Sequence, residues 1–539
     1  MKFKSVIYLS ALLLLSASAI MAQKAEKAVK KPNIIIILAD DMGYSDIGCF
    51  GSTTQTPNLD GMAKTGLVMT QFYNASRCCP SRASLLTGLY QHQAGVGDMV
   101  NTRKEPAYQG YLNNNCVTIA EVLKGSGYNT YMAGKWHVGT APDKWPVKRG
   151  FDHYFGLIDG AGSYFAPTNP YRPNQHLTVA LDDKPYTPEK GFYATDAYAG
   201  HAVQYIKDNQ KTGKPFFLYM AFTAPHWPLH ALPQDIAKYK GKYMAGWDKL
   251  REERFNRMKQ LGIINKTTQL SPRDKNVPDW NSLTEAEKVT WDDKMAVYAA
   301  MVDRMDQNIG RIRQALKETG QDQNTVIMFL SDNGASSESI KGPGFTPEVT
   351  AANLKPASDP SSFTAYGFTG ANVSNTPLTL FKHWVYEGGI ATPLIVSYPA
   401  VIKAHRQSTQ PAHLVDLMAT CVDLAGAKYP ATYKGNTITP TEGLSLLPVI
   451  QYKKWEGHNA LFFEHEGNRA VRQGPWKLVS QYPDNQWQLY NIEQDRSEQN
   501  NLAVQNPDKV KELESLYQSW ANRIGVIPFE KLSKGKGDL

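Results

Sequence analysis

Apolar residues along the chain fall into two rhythms. The first is a short, unbroken run. Asn33-Ile34-Ile35-Ile36-Ile37-Leu38-Ala39 carries four consecutive β-branched residues, which predicts a strand buried on both faces, as in a parallel sheet. Runs of the same kind recur at 128–134, 215–222, 325–330 and 393–396. The second rhythm has helical spacing. Tyr298, Met301, Val302, Met305, Ile309, Ile312 and Leu316 mark one face of a helix over 294–318, and those side chains belong in a core. Shorter helices are predicted over 118–124 and 198–209. Strand and helix in alternation predict an α/β fold: a large doubly wound, mostly parallel sheet with helices on both faces.

After about residue 440 the rhythm changes. Segments 459–464, 469–472, 476–480 and 488–490 are short alternating runs separated by turns, followed by a helical stretch over 507–523. They predict a smaller C-terminal α+β domain with an antiparallel sheet. The expected division is 32–440 for the large domain and 441–539 for the small one. Two stretches keep neither rhythm. Residues 228–293 are polar, with Trp247, Trp280 and Trp291 scattered among charges, and residues 334–375 are rich in Gly, Ser, Thr and Pro. Loops that long in a compact domain are usually functional or disordered; both are expected to rim a pocket.

Composition adds a few limits. The chain has 539 residues, 42% of them hydrophobic, enough for a large core and a second domain. Its net charge is +8, but +5 of that falls before residue 32. The body is therefore near neutral, which argues against nucleic acid as a partner. Residues 1–22 read as a secretory signal: Lys2 and Lys4, an apolar run over 6–15, then Ala17-Ser18-Ala19 and Ala22 as cleavage sites. That run is short for a membrane span and no later stretch approaches one. The expected protein is exported, periplasmic or secreted. Cys49, Cys78, Cys79, Cys116 and Cys421 are scattered, so no disulfide lattice is expected.

The chemistry gathers where strands end. The run at 33–39 stops at Asp40-Asp41. The next ones lead into Lys135-Trp136-His137, Thr223-Ala224-Pro225-His226 and Ser331-Asp332-Asn333-Gly334. Ligands of open α/β sheets bind beyond the carboxyl ends of the strands. Asp40, Asp41 and Asp332 with the Asn333 amide oxygen form an all-oxygen set, which suits calcium or magnesium better than zinc. The larger shell of calcium fits side chains drawn from distant loops. Cys78-Cys79-Pro80-Ser81-Arg82, continuing as Ala83-Ser84-Leu85-Leu86-Thr87-Gly88, makes a poor disulfide frame or zinc knuckle. It reads as a helix start, with Ser81 near the N-cap and Leu85 and Leu86 facing inward. The helix N-terminus and Arg82 place a positive field there, a setting for a nucleophile that attacks an anion.

This motif resembles the signature of the type I, formylglycine-dependent sulfatases, a bacterial arylsulfatase-like group of the alkaline-phosphatase superfamily. The resemblance extends through Lys135-Trp136-His137, Ala224-Pro225-His226 and Lys382-His383-Trp384-Val385-Tyr386-Glu387-Gly388-Gly389 to Leu489-Tyr490-Asn491 and Asn500-Asn501-Leu502-Ala503. It implies that a formylglycine-generating maturation enzyme converts Cys78, with Cys79 the variable neighbour. It implies one calcium ion held by Asp40, Asp41, Asp332, Asn333 and the group made from Cys78. Arg82, Lys135 and Lys382 would supply positive charge. His137 would handle the aldehyde diol and expel sulfate, and His226 and Lys382 would lie by the leaving oxygen. Lys135, His226, Lys382 and His383 would contact substrate, with Tyr164, Phe165, Tyr171 and Trp227 as further lining. One hydroxyl of the hydrated aldehyde would attack sulfur, and the other would release sulfate. The implied function is a sulfuric ester hydrolase acting on sulfated glycans or aryl sulfates. His92, His153, His201 and His413 carry no motif and read as structural. Two rival readings are a phosphomonoesterase or phosphodiesterase of the same superfamily, which needs two metals and a Ser or Thr nucleophile, and a non-catalytic glycan-binding homologue.

Overall fold

The isoleucine run becomes the central strand of an 11-stranded sheet. A computed structural model describes residues 30–342 and 344–533; the signal segment read at 1–22 lies outside them. The strands are β1 (Asn33–Ala39), β2 (Leu67–Tyr73), β3 (Asn129–Gly134), β4 (His153–Leu157), β5 (Val179–Leu181), β6 (Lys184–Pro185), β7 (Phe216–Ala221), β8 (Thr325–Ser331), β9 (Ala391–Ser397), β10 (Arg406–Ser408) and β11 (Ala412–His413). Their order is β10-β2-β9-β8-β1-β7-β3-β4-β5-β6, with β11 also on β2. β8, β1, β7, β3 and β4 run parallel, whereas β9 runs against both β8 and β2.

Helices cover both faces. Seven of them, in chain order, are α1 (Pro57–Thr65), α2 (Cys78–Thr87), α3 (Ile119–Gly125), α4 (Ala194–Gln210), α5 (Trp247–Gln260), α6 (Glu285–Glu318) and α7 (Asp416–Ala425). Strand side chains alternate between faces, and β1 divides its residues accordingly. Ile35, Ile37 and Ala39 join the core with α1, α4, α5 and α6. Ile34, Ile36 and Leu38 join the other core with α2, α3 and α7. The doubly wound, mostly parallel sheet expected from the alternation is present.

Residues 228–293 are not the loop expected from their polarity. They hold α5 and the first turns of α6, which opens at Glu285 behind a Thr284/Glu287 capping box rather than at 294. The helical period in α5 is hidden because two of its inward residues are arginines: Trp247, Arg251, Arg254 and Met258 are the buried set. Arg254 pairs with Asp46 at 2.8 Å and Arg251 donates to the Ser271 carbonyl at 2.7 Å. The three tryptophans pack on one another with ring centroids 4.9–5.7 Å apart. They form part of the core, not a rim.

The C-terminal part contains a small hairpin, β12 (Thr432–Tyr433) and β13 (Asn436–Thr437). An antiparallel sheet follows in the order β14 (Leu461–His465), β15 (Asn468–Gln473), β16 (Trp476–Ser480) and β17 (Trp487–Asn491). Helix α8 (Pro507–Ile524) covers it through Leu513, Tyr517 and Trp520 on Val471, Leu478 and Leu489. A buried ionic knot ties this sheet to the segment before β9. Lys477 Nζ lies 3.1 Å from Glu387 and 2.9 Å from Glu498, and Arg496 reaches Glu387 at 3.3 Å. The backbone N–H of Glu387 donates to Glu498 at 2.7 Å. Gly389 belongs to the same tight segment, since a Cβ there would fall 1.7 Å from the Trp384 carbonyl oxygen. The knot holds the loop that carries Lys382. Among the described residues no helix is long and apolar enough to cross a membrane.

Candidate active site

Parallel register brings the ends of four strands level. Leu38 of β1 pairs with Ala221 of β7 and Leu330 of β8, and Gly134 of β3 pairs with Ala221. The residues that follow these strands therefore meet: Asp40 and Asp41 after β1, Lys135 after β3, Asp332 and Asn333 after β8, and His226 beyond β7. Helix α2 begins at Cys78, with Arg77 at its N-cap. Ser81 lies within the first turn instead of at the cap, and its hydroxyl accepts the Ala75 N–H at 2.9 Å. Asp40, Asp41, Cys78 and His226 offer ligand atoms all within 4.8 Å of one another.

The buried charges are cross-linked. Arg82, wholly enclosed, donates Nε and Nη2 to Asp332 Oδ2 at 3.1 and 2.8 Å, and Nη1 to the Lys135 carbonyl at 2.9 Å. Lys135 Nζ donates to Asp40 Oδ2 at 2.6 Å. Asn333 Nδ2 donates to Asp41 Oδ1 at 2.7 Å, and Lys382 Nζ donates to Asp41 Oδ2 at 3.0 Å. Asp41 and His137 both adopt left-handed backbone, φ +64° and +55°. That conformation is uncommon outside glycine and clusters at functional sites. At Asp41 it lets the backbone N–H donate to Asp332 Oδ1 at 3.2 Å. Gly160 leaves room for His137, because a Cβ there would lie 2.3 Å from its Nε2.

Two oxygens stand apart from this network. Asp40 Oδ1 and Asn333 Oδ1 are buried without a hydrogen-bond partner. An unsatisfied buried acceptor costs about 1–3 kcal/mol. Two of them beside three carboxylates fit a hard, oxygen-bound divalent cation of the calcium or magnesium class. Asp40, Asp41, Asp332 and Asn333 are the side chains that would hold it.

Protonation follows from burial. Burial pushes the Cys78 thiol well above the ordinary thiol range, and Lys135 and Lys382 only partly offset this. An unmodified thiol there stays protonated and is a poor nucleophile. Burial and Asp40 together raise Asp332 to about 7. Burial lowers His226 to about 4 and drives His137 well below its usual value. For Lys382 burial opposes the charge, but Asp41 and Glu338 outweigh it and keep the ammonium protonated. A neutral imidazole thus sits beside a charged lysine, His226 Nε2 3.4 Å from Lys382 Nζ.

Above this cluster opens a cavity of about 370 Å³ lined by Cys78, His137, His226 and Lys382. Tyr171 and Trp227 also line it, in edge-to-face contact at 5.4 Å. Tyr164 and Phe165 do not. The Tyr164 hydroxyl donates to the Thr223 carbonyl at 2.6 Å and lies 2.9 Å from the His226 carbonyl, so it supports the His226 loop. Phe165 faces a separate hollow with His230 and Phe363. His383 is not in the cavity wall either; its Nδ1 lies 2.9 Å from Glu466 Oε2.

Sequence reasoning missed four charged residues of the wall: Arg77, Asp159, Arg172 and Glu338. Glu338 Oε2 accepts from Lys382 Nζ at 2.9 Å and from Trp227 Nε1 at 2.8 Å, and Glu338 Oε1 lies 2.9 Å from Arg77. Glu338 comes from the 334–375 stretch, which does contribute to the rim. Nothing in its Ser-Ser-Glu-Ser surroundings marks it. Arg77 could have been noticed as the charge directly before the cysteine pair.

Comparison with known proteins agrees with this geometry. A family model described as sulfatase matches residues 32–427, and one described as N-sulphoglucosamine sulphohydrolase, C-terminal, matches residues 379–522. An uncharacterized sulfatase of Schizosaccharomyces pombe is 35% identical over 94% of this chain and 96% of its own. An arylsulfatase of Klebsiella aerogenes is 36% identical over 81% of this chain and 96% of its own. The crystal structure of Ps i-CgsB in complex with k-i-k-neocarrahexaose superposes with a TM-score of 0.68 at 27% identity, covering 92% of this chain and 94% of that one.

Proposed function

The chain belongs to the sulfatase family and is a sulfatase enzyme; from that premise we propose that it hydrolyses sulfate monoesters with a formylglycine made from Cys78 and one calcium ion. The observation that carries the reading is the position of Cys78. Its Sγ stands where the aldehyde carbon's oxygens would lie, at the first turn of α2, among ligand atoms of Asp40, Asp41 and His226. When formed and hydrated, the aldehyde supplies a hydroxyl that attacks sulfur and a second that lets sulfate depart. Asp40, Asp41, Asp332 and Asn333 would hold the calcium ion, which would supply fixed positive charge for an anionic sulfate.

The chain's own groups do the rest. Arg82 fixes the Asp332 carboxylate and the Lys135 carbonyl, so neither reorients during turnover. Lys135 and Lys382 present positive charge to an anionic group entering the cavity, with no reorganisation at the moment of reaction. Lys382 and His226 face the cavity side by side, where the alcohol oxygen leaves, and a proton held at Lys382 Nζ is within reach of it. His137, neutral and with its buried Nδ1 unpartnered, accepts a proton as sulfate is released. Tyr171 and Trp227 wall the cavity and shed water from it.

A cavity of this size lies at the small end for ligand sites and suits a sulfated ring, from a glycan or an aryl sulfate. The arylsulfatase relative and the oligosaccharide-bound neighbour support that substrate class. We further propose export, with residues 1–22 as signal. The test is a panel of sulfated sugars, 4-nitrophenyl sulfate and the matching phosphates, with protein co-expressed with a formylglycine-generating enzyme. Sulfate esters turned over faster than phosphates are expected; the reverse order would replace this reading with the phosphatase one.

A further inference from the structure

We propose that His383, His465 and Glu466 form a second metal site, for a first-row divalent ion such as zinc, distinct from the oxygen-rich site at Asp40. The three side chains offer donor atoms all within 4.8 Å of one another. Glu466 sits between the imidazoles: Oε2 lies 2.9 Å from His383 Nδ1 and Oε1 lies 3.6 Å from His465 Nε2. Ligand atoms around a tetrahedral zinc are about 3.3 Å apart, from bond lengths of about 2.0–2.1 Å, and the two measured spacings straddle that value.

The second, independent observation is His465 itself. It is 0% exposed, and neither ring nitrogen has a hydrogen-bond partner. A buried imidazole with both nitrogens unsatisfied is costly, and a metal bond at Nε2 would remove that cost on the side facing Glu466. Two nitrogens and one carboxylate select zinc or its neighbours over calcium.

The position gives such an ion a structural role. His465 ends β14, Glu466 opens the β14–β15 turn, and His383 follows Lys382 directly. A metal there would clamp the C-terminal sheet to the loop that carries Lys382. None of the three residues lines the active-site cavity, so this site and the sulfatase reading stand or fall separately.

The test uses untagged full-length protein, stripped with chelator, saturated with calcium to occupy the Asp40 site, then dialysed against zinc chloride. One tightly bound zinc per chain is expected. His465→Ala and, separately, the half-buried His383→Gln should each weaken zinc binding on the order of 100-fold while calcium content stays constant. Cobalt in place of zinc should give the intense visible absorption of a four-coordinate ion, lost in both variants. No zinc bound at micromolar free metal, or zinc binding unchanged in the folded His383→Gln protein, would overturn the proposal.

Discussion

Lys382 Nζ donates to Glu338 Oε2 at 2.9 Å, and Glu338 in turn holds Trp227 and Arg77. One carboxylate thereby sets the position of Lys382, the lysine proposed to serve the leaving oxygen, and of an aromatic wall of the cavity. Glu338→Gln keeps the shape but loses the charge that anchors Lys382. It should lower kcat/KM by about 100-fold, the scale expected when a reacting group is displaced by an ångström. Steady-state kinetics on 4-nitrophenyl sulfate checks this; a change under about threefold would show that Glu338 does not position the lysine.

The two adjacent cysteines should separate cleanly. Cys78→Ala is expected to abolish turnover with the fold intact. Cys79 is buried with its Sγ 3.3 Å from His137 Nε2; Cys79→Ala should cost about 1 kcal/mol of stability and keep turnover within about tenfold. Equal loss in the two variants, both folded by circular dichroism, would mean that the wrong thiol has been chosen.

Removal of metal is expected to stop the reaction. The orphaned Asp40 Oδ1 and Asn333 Oδ1 lose their proposed partner, and with it several kcal/mol of charge stabilisation. Chelated protein should retain less than about 1% of its rate and recover it on adding calcium. Full desulfation by protein shown by elemental analysis to hold no metal would sink the cation from the scheme.

Much of the site could be read from the chain because it sits where strand runs stop. A buried isoleucine run ending in Asp40-Asp41 has only one direction to send its carboxylates, and parallel register then levels Asp332 and Lys135 with them. Other features lay outside that logic. β2 reads Leu-Val-Met-Thr-Gln-Phe-Tyr, an apolar run broken by two polar residues. α5 conceals its period behind Arg251 and Arg254, whose burial depends on Asp46 and Ser271 far along the chain. Glu338 and His465 acquire meaning only through residues they meet in space.

The knot at Lys477 makes a prediction about stability and pH. Burial and the nearby Glu387 raise Glu498 to about 7. For Glu387 burial is outweighed by Lys477 and Arg496, which lower it. Glu498 therefore contributes stability below its ordinary range near 4.5, and that contribution is lost as pH rises toward about 7. Glu387 does the opposite: its contribution is present above its ordinary range and lost as pH falls through its lowered value. Moving from about pH 5 to about pH 8, Glu498→Gln should gain in Tm relative to the parent, and Glu387→Gln should be less stable than the parent at pH 8. Calorimetry of the three proteins decides it; parallel Tm curves for Glu498→Gln and the parent would contradict the assignment.

The most direct measurement is mass spectrometry of the peptide carrying Cys78, made on protein from a host with the maturation enzyme and paired with sulfate release by the same sample. The prediction is that sulfur is replaced by an aldehyde oxygen at Cys78, and that turnover rises in proportion to the converted fraction. Full turnover from protein whose Cys78 is an intact thiol would contradict it.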